Sequence, residues 1–241
     1  MLSDLELVYG ASRYAQDTRD APASVTIITA REIREYGYRT LADVLGSVRG
    51  FSTRNDLNYE FAIVRGLEPR GDFNTRILIL VNGQRLNAAV TDVTNVGNDA
   101  LIDLDRIHHI EIIRGPGSAL FGTNAFFGVV NIVTGRAPGA AGGLRAEAEA
   151  GSFRTYRGSL AWSMKPGSSR EFMVGVSALR RGGVDRYFPE FDAPETNNGV
   201  AEDLDGEETY RIAGRGRWGG WSFEGAYSPS ACRARAPAAP G

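Results

Sequence analysis

A glycine-punctuated segment between two β-branched runs constrains the fold of this chain more than any other stretch. The runs are Ile107 to Ile113 and Val129 to Val133, and each has the length and composition of a strand. Between and beside them stand the turn-forming residues Gly115, Pro116, Gly117, Gly122 and Gly128. Because these residue types interrupt regular structure, the sequence predicts two strands joined through a compact turn region. From the glycines alone, an ordinary glycine-rich connection in an α+β domain explains the segment equally well.

Composition narrows the classes of function. The chain has 241 residues, 42% of them hydrophobic and 23% charged, and a formal net charge of -2. That length is enough for one or two domains with a buried core. Lys and Arg are scattered instead of forming a basic block, so we expect no nucleic-acid partner. Cys232 is the single cysteine, which excludes an intrachain disulfide and a cysteine-cluster metal site.

The printed sequence shows neither a membrane-spanning helix nor the pattern of a signal peptide. No apolar run approaches the roughly 18 residues of a spanning helix. Met1 is followed directly by mixed polar sequence, without the basic and apolar regions of a signal peptide. We therefore expect either that the original start of the protein is missing or that the chain is not exported as written.

Catalytic motifs are also absent, and we predict no enzymatic activity, no resident metal and no cofactor. The sequence contains no nucleophile elbow, P-loop, dinucleotide fingerprint or HExxH segment. His108 and His109 are adjacent, so on a regular strand they would point to opposite faces and would not chelate one ion together. The turn after Arg114 lacks the Lys-Ser/Thr pair of a phosphate-binding loop.

The first half of the chain has the pattern of a small α+β domain. Thr29 and Glu32 have capping-box spacing, Thr40 and Asp43 repeat it, and Asn82-Gly83 is a hairpin signal. The predicted elements are a strand at Ser24 to Ile28, a helix from Thr29 to Gly37, a second helix from Thr40 through Leu45, and strands at Phe51 to Arg54, Phe61 to Arg65, Arg76 to Val81 and Gln84 to Leu86.

From Gly142 the pattern changes to an alternation of period two, which is typical of β-ribbon that faces two different media. We predict five strands, at Leu144 to Ala150, Thr155 to Lys165, Arg170 to Arg181, Glu207 to Trp218 and Trp221 to Tyr227. The connections at Pro166 and Gly219 are short, whereas residues 183–206 form a long loop. Outer-membrane barrels keep short turns on the periplasmic side, so this parity predicts that the long loop lies outside the cell.

The segment from Ile110 to Thr134 resembles the signature of the plug domain of TonB-dependent outer-membrane receptors. The preceding motifs, Val64-Arg65-Gly66 and then Arg76 to Arg85, occur in the same order as in that family, and the resemblance covers roughly Glu6 to Thr134. It implies an α+β plug domain followed by an incomplete antiparallel transmembrane β-barrel. The implied domains are an arm at 1–21, a plug at 22–135, an N-terminal barrel fragment at 142–228 and an irregular tail at 229–241.

The resemblance also implies a function and its partners. Receptors of this family take up scarce nutrients actively across the Gram-negative outer membrane, most commonly ferric siderophores, with cobalamin, haem and oligosaccharides as further classes. The implied partners are the TonB energy-transducing complex, outer-membrane lipid, and a metal chelate or another small-molecule substrate. The competing hypothesis is an isolated plug-like module or a truncated product without transport activity.

Particular residues are implied by the same resemblance. Arg65 and Arg114 stand where the family's plug arginines pair with glutamates on the barrel wall; the alternative is that both anchor carbonyl groups inside the domain. The plug signature comprises Gly66, Asn82, Gly83, Gly115, Pro116, Gly122 and Asn131. The substrate-facing apex is assigned to Arg70, Asp72, Asn74, Asn87, Asp92 and Asn95.

The arm holds the implied TonB box, at Glu6, Leu7, Val8, Tyr9, Gly10 and Ala11. An extended arm with unpaired backbone groups can add itself as a strand to the sheet of a partner, which suits a segment that is gripped and pulled. A disordered terminus without a partner is the alternative.

The last part of the chain raises two further expectations. Five strands cannot close a plugged barrel, which uses about 22 strands. Residues 229–241 lose the alternation, and we interpret them as a frameshift or a truncated reading frame, with a genuine Pro/Ala-rich tail as the alternative. The acidic segment Asp203 to Glu207 lacks the full EF-hand pattern, so we expect a solvated loop instead of a calcium site.

Overall fold

The structure is a computed structural model, and it describes residues 7–8, 16–17, 24–67, 71–135, 142–167 and 169–232. The chain divides into two compact units. The first comprises Met1–Arg54 and Glu60–Arg136, and the second comprises Asn55–Tyr59 and Ala137–Gly241.

In the first unit, the described strands are β1 (Leu7–Val8), β2 (Gln16–Asp17), β3 (Ser24–Thr29), β4 (Phe51–Asn55), β5 (Glu60–Val64), β6 (Ile77–Val81), β7 (Gln84–Arg85), β8 (Ile107–Arg114) and β9 (Gly128–Thr134). The helices are α1 (Ala30–Glu35), α2 (Leu41–Gly46) and α3 (Ser118–Phe121), and a 3-10 turn spans Leu104–Arg106. The main sheet has the order β3-β8-β9-β6-β7. Its β6–β9 pair is parallel and its other pairs are antiparallel. This α+β architecture confirms the class predicted from the sequence.

Both predicted capping boxes are present. The Thr29 hydroxyl accepts from the Glu32 amide at 3.2 Å, and the Glu32 carboxylate accepts from the Thr29 amide at 2.8 Å. Thr40 and Asp43 repeat this arrangement at the start of α2. The reciprocal bonds satisfy amides that a helix start leaves without partners, which explains why both helices begin where the spacing predicted.

The core of the first unit lies on both faces of the main sheet. The larger cluster places alternate residues of β6, β8 and β9 against α1 and α2, where Val44 and Leu45 are fully buried. A smaller cluster on the other face contains Leu78, Leu80 and Val129. All five residues of β6 are therefore buried, as expected for a strand that packs on both sides.

In the second unit, the described strands are β10 (Gly142–Gly151), β11 (Thr155–Met164), β12 (Arg170–Arg181), β13 (Val184–Tyr187), β14 (Val200–Leu204), β15 (Glu207–Trp218), β16 (Trp221–Tyr227) and β17 (Ser230–Cys232). Strands β10, β11, β12, β15 and β16 pair in that order into one antiparallel sheet, here called the ribbon. It is an open sheet within the described residues. The bounds of β12, β15 and β16 match the predicted bounds at both ends.

Two predictions for the second unit were incomplete. The long loop contains a hairpin, in which β13 pairs with β14, and two 3-10 turns at Pro189–Phe191 and Pro194–Gly199. The predicted irregular tail begins with a strand, because β17 pairs with Glu207 to Thr209 of β15. β16 pairs only with Ile212 to Trp218, which leaves the start of β15 available to a second short strand.

The two faces of the ribbon are the reverse of those in a water-soluble sheet. Large apolar side chains on one face are exposed, for example Leu160, Val176 and Ile212, which lie side by side in register. The opposite face contains polar residues that are more buried, including Ser177 and Arg211. Separately, none of the helices in the described ranges is long and apolar enough to cross a membrane.

Candidate functional site

The predicted signature folds as two strands joined by a turn and one short helix. β8 leads into the Gly115-Pro116-Gly117 turn, α3 follows, and β9 returns antiparallel to β8. Gly122 ends α3 with φ +78 and ψ -142, a backbone conformation that side chains disfavour. A Cβ on Gly128 would lie 2.8 Å from the carbonyl oxygen of Ile113, so a glycine is required where β9 first meets β8.

The asparagines of the signature connect the hairpin turn to the sheet. Asn82 and Gly83 have φ +50 and +81, the conformation of a tight hairpin turn between β6 and β7. The Asn82 side chain accepts from the Thr134 amide at 3.0 Å, and the Gly83 amide donates to Asn131 Oδ1 at 3.2 Å. Asn131 Nδ2 in turn donates to the buried carboxylate of Glu111 at 2.9 Å. The turn is therefore tied to both β8 and β9.

Arg65 and Arg114, the two arginines expected to pair with glutamates on the barrel wall, have different surroundings. Arg114 Nη1 donates to the carbonyl oxygen of Arg49 at 3.0 Å, and Nη2 donates to the Ser24 hydroxyl. Arg65 is exposed with φ +53, and its amide donates to the Gly50 carbonyl at 2.8 Å. The contacts of Arg114 agree with the carbonyl-anchoring alternative for that residue. The pairing of either arginine with wall glutamates stays a prediction.

The predicted apex residues separate into buried and exposed groups, and Arg70 lies outside the described residues. Asn74 is 6% exposed and Asn87 is 4% exposed. Asn74 accepts from the Ala62 amide at 2.8 Å and donates to the Thr94 carbonyl at 2.9 Å. Asn87 accepts from the Ile79 amide and donates to the Ile77 and Asp92 carbonyls, at 2.9 to 3.1 Å. Both amides thus bind backbone inside the domain, which corrects the expectation that they face a substrate.

The remaining apex residues are more accessible. Asn95 is exposed, whereas Asp72 and Asp92 are half-buried. The Asp72 carboxylate accepts from the Thr75 amide at 2.8 Å and lies 3.6 Å from Arg76 Nε. Their contact with a substrate stays a prediction.

Arg85 is an organising residue that the sequence analysis missed. Its guanidinium donates to Asn124 Oδ1 at 2.6 Å and to the Thr123 carbonyl at 2.9 Å, and it lies 3.8 Å from the Asp92 carboxylate. It thereby connects the segment after α3 to the loop that follows β7. Its position two residues after the Asn82-Gly83 turn, in the short strand β7, was the available sequence signal.

The arm is described only in part. Of the predicted TonB box, Leu7 and Val8 form β1 and pair antiparallel with Asp17 and Gln16 of β2. The expectation of unpaired backbone is therefore wrong for these two residues. Glu6, Tyr9, Gly10 and Ala11 lie outside the described residues.

The prediction that His108 and His109 point to opposite faces is wrong. Their Nδ1 atoms lie 2.8 Å apart. The cause is a β-bulge, because the register between β8 and β9 shifts between Ile107 and His109. The extra residue breaks the strict alternation of a regular strand.

The long loop of the second unit contains its own acidic contacts. Tyr187 donates its hydroxyl to Asp192 at 2.8 Å, and this hydrogen bond is the main cause that raises the pKa of Tyr187 above its ordinary value. Asp203 and Asp205 face Arg154 and Arg181, at 3.3 and 2.6 Å. In the described ranges, no three His, Cys, Asp or Glu residues are arranged to hold a metal ion.

Comparisons with known proteins agree with this architecture. A family model described as the TonB-dependent receptor plug domain matches residues 17–129. The iron-regulated outer membrane virulence protein of Vibrio cholerae is 34% identical over 136 residues, which are 55% of this chain and 20% of that protein. The vitamin B12 transporter BtuB of Vibrio vulnificus is 32% identical over 128 residues, 53% of this chain and 20% of that protein. The matched region is thus about a fifth of the length of these relatives.

Solved structures resemble the chain beyond the first unit. The ferripyoverdine receptor of Pseudomonas aeruginosa aligns with a TM-score of 0.69 at 17% identity, over 92% of this chain and 27% of that one. The siderophore receptor PirA of the same organism aligns with a TM-score of 0.59 at 23% identity, over 88% of this chain and 34% of that one. At these identities the likeness is one of fold, and its coverage includes the strands of the ribbon.

Proposed function

We propose that the chain is the N-terminal part of a receptor that imports a scarce nutrient across the Gram-negative outer membrane, because residues 17–129 match the family model of the TonB-dependent receptor plug domain. The plug occupies the first unit, and the ribbon supplies the opening strands of the barrel. The substrate binds at the apex of the plug, and TonB supplies energy by pulling on the arm.

The reversed faces of the ribbon are the observation that supports this proposal most strongly. Strands of outer-membrane barrels alternate apolar residues toward lipid with polar residues toward the interior. The exposed face of the ribbon is apolar, and its polar face holds ion pairs such as Arg217 with Glu171 at 3.7 Å. A sheet in water would expose the polar face instead.

Aromatic residues on the apolar face form two groups that resemble the girdles of such barrels. Tyrosines lie near the long loop and tryptophans near the short turns; these are Tyr156, Tyr210 and Tyr227, and Trp162, Trp218 and Trp221, all exposed. Along β15, Tyr210 and Trp218 are separated by about 26 Å at a rise of about 3.3 Å per residue. Because strands of such barrels are tilted by about 35–45°, this separation covers about 19–22 Å of the apolar band, which is about 25 Å tall.

For the substrate we propose a ferric siderophore. The support is the relatives, since an iron-regulated outer membrane protein and siderophore receptors are among them. A vitamin B12 transporter is among them as well, and cobalamin is the second candidate. The competing hypothesis, an isolated plug-like module without transport activity, predicts no role for the apolar face of the ribbon.

Insertion into lipid vesicles of a receptor restored to full length tests the membrane part of the proposal. Val176 is exposed at the centre of the apolar face, whereas Ser159 is half-buried on the polar face. We expect Val176→Arg to weaken insertion by about 2–4 kcal/mol, because the charge would lie near the bilayer midplane. Ser159→Arg is the matched control and is expected to insert like the unmodified chain. Equal insertion of both variants would favour the isolated module.

A further inference from the structure

The β-bulge in β8 brings the imidazoles of His108 and His109 together, next to the buried carboxylate of Glu111. Ile107 and Ile110 both point into the larger core cluster although they are three residues apart. That spacing is possible only because the bulge adds one residue between them. His108 and His109 consequently meet through their Nδ1 atoms at 2.8 Å, with ring centroids 5.1 Å apart. The rings face each other end to end, as in an N–H···N hydrogen bond.

The second ring of the pair is oriented by a carboxylate. His109 Nε2 lies 3.4 Å from Glu111 Oε1, and Glu111 is 1% exposed. Its other oxygen accepts from Asn131 Nδ2 at 2.9 Å. A carboxylate can only accept, so the hydrogen of a neutral His109 lies on Nε2 and its Nδ1 is left as an acceptor. The hydrogen between the two rings therefore belongs to Nδ1 of His108.

We propose that His108 and His109 share one proton between their Nδ1 atoms and connect the exposed end of β8 to the buried carboxylate of Glu111, through a contact that acid opens. One added proton is accommodated on Nε2 of His108, and the contact survives as a stronger, charge-assisted hydrogen bond. A second added proton would put hydrogen on both Nδ1 atoms at 2.8 Å, so the rings must separate.

The strands on either side of β8 place uncharged residues next to this pair. β9 places Asn131 and Val133 opposite Glu111 and His109, and β3 places Thr29 opposite His109. Charged residues on the neighbouring helical elements are Arg31, Glu32, Arg34 and Glu35 of α1, and Asp105 and Arg106 of the 3-10 turn before β8.

Histidine-selective ¹⁵N labelling of the full chain in detergent micelles tests the proposal, because the chain contains only two histidines. At neutral pH we expect opposite tautomers for the two rings and a scalar coupling between the two Nδ1 atoms across the shared hydrogen. On acidification the coupling should disappear when both rings become fully protonated. Rings with the same tautomer mixture and no coupling at neutral pH would overturn the proposal.

Two variants separate the parts of the proposal. His108→Gln removes the partner ring, and His109 should keep its Nε2-protonated tautomer because Glu111 still orients it. Glu111→Gln keeps the shape of the side chain without its charge, and His109 should lose that preference. A tautomer of His109 that is unchanged in Glu111→Gln would contradict the link to the buried carboxylate.

Discussion

At the scale of single residues, asparagine has two different roles in the first unit. Asn74, Asn82, Asn87 and Asn131 bind backbone or buried groups with their amides, whereas Asn95 is exposed. All except Asn131, which lies within the apolar strand β9, stand in or beside polar, loop-like sequence, so composition did not separate them. Burial separates them, because a buried amide must find partners inside the domain.

Asn87 and Asn95 provide a matched test of this difference. We expect Asn87→Ala to lower the free energy of unfolding by about 2–4 kcal/mol, since it leaves the Ile79 amide and two carbonyls without their partner. Asn95→Ala should change it by about 0.5 kcal/mol or less. Native-state hydrogen exchange of the full chain, read at the amides of β6, measures both effects. Similar protection in the two variants would contradict the structural role of Asn87.

At the scale of elements, the pairing of β1 with β2 in the arm limits how a partner strand can pair with the arm. Strand β1 is paired with β2 through Leu7↔Asp17 and Val8↔Gln16. A two-residue ladder is marginal by itself. A partner strand must therefore either displace β2 or add to the other edge of β1.

Proline substitutions distinguish the importance of the two strands for TonB in a receptor restored to full length. Val8→Pro should leave substrate binding at the cell surface intact and abolish energised uptake, because proline removes an amide and fixes φ. Gln16→Pro disturbs only the internal ladder. If TonB displaces β2 and that ladder is worth about 1 kcal/mol, Gln16→Pro should tighten the binding of the periplasmic domain of TonB about fivefold. Unchanged binding would indicate that TonB adds to the other edge of β1. Uptake at the unmodified rate in Val8→Pro would remove these residues from the TonB-contacting segment.

At the scale of the whole molecule, the two units differ in where their apolar side chains lie. The first has a core on both sides of its main sheet, whereas the ribbon exposes its apolar face. In detergent-free buffer we therefore expect the first unit to resist proteolysis and hydrogen exchange and the ribbon to be susceptible to both. An open sheet has unpaired edges, and without lipid its apolar face is exposed to water.

Limited proteolysis and hydrogen exchange of the purified chain measure this difference directly. We expect protection up to about Gly135 and cleavage between Gly142 and Gly241, with added detergent micelles raising protection in the second half only. Equal protection of both halves without detergent would contradict the expectation that the ribbon is not stable by itself.

The sequence by itself determined the features that depend on neighbours along the chain. The capping boxes, the Asn82-Gly83 turn and the bounds of β12, β15 and β16 follow from local residue types and from strict alternation. Only the tertiary structure decided the bulge at His108, the clamp made by Arg85, the pairing of β17 with β15 and the burial of Asn74 and Asn87. Each of these depends on residues that are distant in the chain or on one additional residue in a strand, and no local period records such contacts.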